Sequence, residues 1–220
     1  MTGKILCLLI ALLCFGQARR MVTEKIEWTY SDQPAHANPA LPNVLLIGDS
    51  ITRAYYPAVA KNLDGKANCY YFATSASIGD ERLPLQLAEY YKMIQIAFSV
   101  VHLNNGMHGW SYTEEEYAQY FREALAAVRA GAPGAKLVWA STTPVRKDKA
   151  DGATNARIEA RNKIAARVIG RETKIDDQYS LMKSHEDLHS DDVHYNSEGS
   201  TLQAAQVAEI IIKYLQAGAK

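Results

Sequence analysis

The stretch Asn43-Val44-Leu45-Leu46-Ile47-Gly48-Asp49-Ser50-Ile51-Thr52-Arg53 limits what this chain can fold into more than any other. It starts as an unbroken apolar run preceded by Pro42, and turns polar at Gly48, Asp49 and Ser50. A short Val/Leu/Ile run with those flanks reads as a strand buried on both faces. The residues from Ile51 to Leu63 read as a helix with Pro57 inside it, a residue that kinks helices. Ser50 is thereby set at the carboxyl end of a central strand, on the first turn of the next helix. In open α/β sheets that edge is where ligands bind. The unpaired N–H groups of a helix N-terminus also favour a developing negative charge. On its own, a serine in this place is as readily a helix N-cap as a nucleophile.

The rest of the chain repeats the strand-then-helix pattern. Ala67 to Ala73 reads as a second strand, followed by the small, polar loop Thr74-Ser75-Ala76-Ser77-Ile78-Gly79-Asp80. A helix is predicted over Arg82 to Lys92, with Pro84 in its first turn. Met93 to Leu103 forms a third apolar run, which hands over to Asn104-Asn105-Gly106-Met107-His108-Gly109-Trp110. Thr113 and Glu116 have capping-box spacing, and Tyr117, Tyr120, Phe121, Ala124, Leu125 and Val128 then share one helical face as far as Gly131. Lys136 to Ala140 is a fourth strand, Asn155 to Ile169 an amphipathic helix, and Thr173 to Ile175 a short fifth strand. The last helix is expected from Ser200 to Leu215. Strands alternating with helices of these lengths imply a parallel sheet of about five strands covered on both faces. No internal repeat appears, so residues 43–220 read as one domain. Residues 19–42, with Pro34, Pro39 and Pro42, read as an extended segment pinned to its surface by Trp28 and Tyr30.

The 220 residues carry a formal net charge of zero and no long basic run, so nothing favours nucleic acid as a partner. Lys4, the apolar run Ile5 to Phe15, and the small residues Gly16 and Ala18 have the layout of a secretory signal peptide over residues 1–18. That run is too short to favour a spanning helix. Export to a periplasm or the extracellular space is the expectation, with no membrane contact beyond the signal. Cys7 and Cys14 fall inside it, leaving Cys69 as a lone, buried thiol.

A serine attacks a carbonyl when a base takes its proton, and the base is usually a histidine oriented by a carboxylate. Asp191 and His194, three apart in a polar loop before the last helix, have the spacing for that pair. Donors for the resulting oxyanion are expected from the backbone N–H groups of Ser50 and Gly79 and from a side-chain amide of Asn104 or Asn105.

In that order, Gly48-Asp49-Ser50, Gly79, Asn104-Asn105 and Asp191-x-x-His194 resemble the blocks of the SGNH, or GDSL-type, hydrolases, from about Pro42 to the last helix. The resemblance implies a flavodoxin-like three-layer α/β/α sandwich and a Ser-His-Asp site that hydrolyses carboxylic esters without metal or cofactor. It makes Ser50 the nucleophile, His194 the base, Asp191 its orienting carboxylate and Gly79 the second-block glycine. The third block departs from the pattern. Where the family has Gly-x-Asn-Asp, the nearest string here is His102-Leu103-Asn104-Asn105, which makes Asn104 the oxyanion donor, or Asn105 after a shift of one.

His185-Glu186-Asp187-Leu188-His189 competes as an H-E-x-x-H string, the pattern of zinc hydrolases, but the helix to support it is short and lacks an apolar face. Trp139 reads as core. Trp110, Thr142, Thr143, Arg146, Arg53, Tyr55 and Tyr56 are candidates for a cleft or its rim. The expectation is an exported esterase that removes small, acetyl-like acyl groups, with carbohydrate among the alcohols by family analogy. A non-catalytic glycan-binding domain of the same fold is the alternative that the altered third block raises.

Overall fold

The computed structural model describes residues 21–171 and 173–217. The predicted signal, residues 1–18, lies outside the described residues. Among these, no helix is long and apolar enough to cross a membrane.

Among the described residues, six strands form one sheet: β1 (Thr29–Asp32), β2 (Asn43–Gly48), β3 (Asn68–Thr74), β4 (Val100–Asn104), β5 (Lys136–Ala140) and β6 (Lys174–Asp176). Their order is β1-β3-β2-β4-β5-β6, and β2 to β6 run parallel. The helices are α1 (Ser50–Asn62), α2 (Arg82–Ile94), α3 (Glu114–Gly131), α4 (Asn155–Ile169), α5 (Gln178–Lys183) and α6 (Ser197–Ala217).

The period-2 geometry of β2 divides its apolar run between two cores. Leu45 and Ile47 pack with Leu87 of α2, Phe121 of α3 and Ala165 of α4. Val44 and Leu46 face the other way, to Tyr55 and Val59 of α1 and Val207 and Ile211 of α6. Two apolar layers on opposite faces of one sheet make the three-layer α/β/α sandwich. The buried face of α3 is Tyr117, Tyr120, Phe121, Ala124, Leu125 and Val128, and its capping box between Thr113 and Glu116 is formed. Trp139 is core at 2% exposure, and burial pushes the Cys69 thiol up to about 12.

Two expectations change. The sheet has a sixth strand, β1, which pairs antiparallel with β3 inside the segment read as merely extended. All four of its residues are exposed, so it carries no hydrophobic alternation to read. The third apolar run also divides: α2 continues to Ile94, Gln95 turns left-handed at φ 50°, and the strand begins only at Val100. Periodicity cannot separate a helix end from a strand start inside one apolar run.

A buried polar node joins the sheet to α5 and α6. Asp176 ends β6, fully buried, and its carboxyl group meets His102 Nε2 at 2.9 Å and accepts from Gln178 Nε2 and Gln206 Nε2. Removing the acceptor strands the buried His102 Nε2 and the half-buried Gln206 Nε2, while Gln178 Nε2 keeps the Gln203 carbonyl, at about 1–3 kcal/mol for each buried group left unsatisfied. Asp176→Ala is therefore expected to lower unfolding free energy by about 3 kcal/mol or more, read by urea denaturation, with Asp176→Asn milder.

Candidate active site

The turn from β2 into α1 has room for glycine only at position 48. A Cβ there would run into the Thr52 side chain and the Asn104 carbonyl. The next residue, Asp49, is the N-cap of α1: its backbone is extended and its Oδ1 accepts from Ile51 N at 3.0 Å. Its Oδ2 accepts from Gly106 N at 3.4 Å and Met107 N at 3.2 Å in the loop after β4. Because Asp49 caps the helix, Ser50 does not. Ser50 is instead the first helical residue, with no intrahelical acceptor for its N–H.

Ser50 Oγ lies 2.8 Å from His194 Nε2, and His194 Nδ1 lies 2.8 Å from Asp191 Oδ2. The loop that carries the last two is built around their local bonds. Asp191 Oδ1 accepts from the N–H groups of His194 and Val193, both at 2.7 Å, while the His194 carbonyl accepts from Ser190 N and Ser190 Oγ. One carboxylate thus fixes both the loop and the ring. Burial works against it, but the N–H groups of His194 and Val193 and the imidazole hold the Asp191 carboxyl down to about 2. An ionised carboxylate only accepts, so the His194 Nδ1 faces it as the protonated nitrogen. Nε2 is then left to accept from the Ser50 hydroxyl.

The predicted oxyanion donors come from the ends of β2, β3 and β4. Gly79 lies in the loop after β3 against the ring of Tyr112, which a Cβ would strike. Asn104 Nδ2 donates to Tyr55 Oη at 3.4 Å, and Asn105 Nδ2 donates to the Ala76 carbonyl at 3.2 Å. Both amides are buried and tied to the fold.

Further residues gather around these loops, and sequence reasoning left out Glu24 and Arg161 among them. Glu24 Oε1 accepts from Gly109 N at 3.1 Å and stands 3.5 Å from His108 Nδ1. The Trp28 and His108 rings meet edge-on with centroids 6.3 Å apart. Arg53 lies over Tyr30 at 4.4 Å and Trp28 at 5.5 Å. Arg161, 2% exposed, donates to the carbonyls of Gly109 and Tyr112 and lies against the rings of Trp110 and Tyr117. Of these, only Trp28, Tyr30, Arg53 and Trp110 stand out in sequence, because a lone Glu, His or Arg outside any motif has no periodic signal.

The remaining candidates divide between the core and the His194 loop. Tyr55 and Tyr56 belong to the core against α1, not to a rim, and Thr142 and Thr143 are buried. Arg146 pairs with Asp192 at 3.1 Å. The H-E-x-x-H string lies on a short 3-10 turn, Glu186–Leu188, not on an α-helix. His189 turns both ring nitrogens toward carbonyl oxygens, of Glu186 and Pro144, and packs on Tyr195. That arrangement does not aim His185 and His189 at a shared ion.

No model of a known protein family matches the chain, and no curated protein matches it. Solved structures do. A carbohydrate esterase family 3 structure from Talaromyces cellulolyticus aligns at 17% identity and a TM-score of 0.63, covering 80% of this chain and 99% of that one. A member of the lipolytic protein G-D-S-L family from Veillonella parvula aligns at 16% and 0.61, covering 76% and 97%. An acetyl esterase mutant with acetate ion aligns at 17% and 0.60, covering 81% and 100%. The fold is that of the GDSL-type esterases. In this GDSL-type sheet, the carboxyl edge gathers the Ser50 turn, the Gly79 loop, the loop from Asn105 to Tyr112, and the His194 loop.

The depressed Asp191 carboxyl sets a direction for pH. Its contribution to the folded state is present above the ordinary value of 3.8 and is lost as pH falls through about 2. The stabilising difference between wild type and Asp191→Asn should shrink as pH falls from 3.8 through about 2, as followed by thermal melts across pH.

Proposed function

We propose that this protein is a serine esterase that hydrolyses small acyl esters, acetyl-like in size, with carbohydrate among the alcohols. The observation that carries the reading is the line from Ser50 Oγ to His194 Nε2 to Asp191, with 2.8 Å at each link. In the reaction, Ser50 Oγ bonds to the acyl carbon while its proton passes to His194 Nε2. The carbonyl electron pair moves onto oxygen, and the backbone N–H groups of Ser50 and Gly79 are assigned as donors to that oxyanion. Collapse of that intermediate breaks the bond to the alcohol, which takes the proton from Nε2. Water then repeats the sequence on the acyl-enzyme and releases the acid.

The substrate range draws on the neighbours of this fold, which include a carbohydrate esterase and an acetyl esterase mutant with acetate ion. Export is part of the proposal and rests on the sequence of residues 1–18 alone.

Purified protein is to be assayed on an aryl acetate beside Ser50→Ala, with a fluorophosphonate probe for labelling. Wild type should label stoichiometrically at Ser50, and Ser50→Ala should lose at least about 10³-fold in kcat. Equal turnover by the two proteins, or no labelling of an intact wild type, removes the serine mechanism and leaves the glycan-binding alternative.

A further inference from the structure

We propose that His108 donates through Nε2 to the oxyanion of this reaction, with Glu24 positioning the opposite edge of its ring. The inference rests on the esterase reading above and adds a catalytic residue to it.

Sheet register sets the location. Gly48 of β2 pairs with Asn104 of β4 where both strands end, so the turn to Ser50 and the loop through Gly106 leave the sheet from the same edge. Asp49 fastens that level by accepting from Gly106 N and Met107 N. Gly106 is held close by its own lack of a side chain, since a Cβ would meet Thr142 Oγ1. His108 follows directly, on the part of the loop bound to the serine turn.

The ring itself carries the second observation. His108 Nε2 is buried and has no hydrogen-bond partner among the described residues. A buried polar atom left without a partner costs free energy, so a native structure that keeps one calls for an explanation. The other nitrogen is accounted for: Nδ1 faces Glu24 Oε1, and Glu24 is fixed in turn by Gly109 N. Burial opposes charge on the ring, yet Glu24 and Asp49 together raise the His108 pKa above its ordinary value, which favours a proton on both nitrogens. An imidazole oriented by a carboxylate, with its far N–H unpartnered on the loop that Asp49 ties to the serine turn, is suited to receive negative charge as it develops.

The competing amides are each tied to the fold through one of their two N–H groups, Asn104 Nδ2 to Tyr55 and Asn105 Nδ2 to Ala76. His108 also stands two residues after Gly106, the spacing that separates glycine from asparagine in the Gly-x-Asn string. Reading the third block as Gly106-Met107-His108 therefore places an imidazole where that string has an amide, and returns the glycine that the Asn104 reading lacked.

The test compares wild type, His108→Ala and His108→Asn for kcat and KM on an aryl acetate, Tm, and labelling at Ser50. His108→Ala should lower kcat by about 10²–10³-fold with little change in KM, and His108→Asn should recover at least about tenfold of that loss by restoring an N–H donor. Wild-type kcat in His108→Ala overturns the proposal. So does an equal loss in both variants that tracks a fall in Tm, which marks a structural ring. If His108→Ala is too unstable to assay, His108→Phe keeps a ring without either nitrogen: the same loss of kcat supports the donor, and unchanged kcat overturns it. Failure of the esterase reading looks different, because wild type itself would then neither turn over nor label.

Discussion

The carboxylate of Asp49 holds the active edge together. At 1% exposure it accepts from three backbone N–H groups: Ile51 at the start of α1, and Gly106 and Met107 after β4. A buried carboxyl group is tolerated when its oxygens are matched by donors, and here the donors are main-chain groups on two separate strand ends. One side of the group starts the helix that presents Ser50. The other side fixes the level of the neighbouring loop. With Asp49 as cap, the Ser50 hydroxyl is released from the common task of capping and is left to face His194.

From that anchor the site requires a meeting across the chain. Ser50 and His194 are 144 residues apart in sequence and 2.8 Å apart in space. The parallel topology makes this cheap in conformational terms, because every strand from β2 to β5 delivers its following loop to the same edge. The last contributor needs a different support. Its loop is closed by Asp191 binding the N–H groups of Val193 and His194, and its approach is set by α6, whose Gln206 reaches back to the Asp176 node under the sheet. The imidazole position is therefore determined locally by Asp191 and globally by the packing of α6 on α1.

What the sequence made legible follows from which forces leave a periodic mark. Burial on two faces wrote β2 as a continuous apolar run, and burial on one face wrote α3 at helical spacing, so both could be read with their inward residues. Motif spacing pointed to Ser50, Asp191 and His194 because the last two interact across only three positions. The missing elements are held by interactions that have no period. β1 is a chain of exposed residues kept in the sheet by main-chain pairing. Arg161 reads as a polar position of an amphipathic helix, yet it is buried between Trp110 and Tyr117 because two loop carbonyls, Gly109 and Tyr112, need its guanidinium. The same limit applies to Tyr55 and Tyr56, whose helix face could not be assigned to core or rim until α6 was seen against it.

The segment before β2 belongs to the active edge more than to the surface. Val22 N donates to Tyr112 Oη, Glu24 accepts from Gly109 N, Trp28 N donates to Ser75 Oγ, and Glu27 accepts from Ser75 Oγ and pairs with Arg82. These bonds reach the loops after both β3 and β4, so residues 22–28 form a brace across the strand ends from outside the sheet. Loops with few apolar contacts are the low-stability part of most domains, and a site assembled from them gains precision from any element that couples them. The brace holds in register the two loops that flank the Ser50 turn.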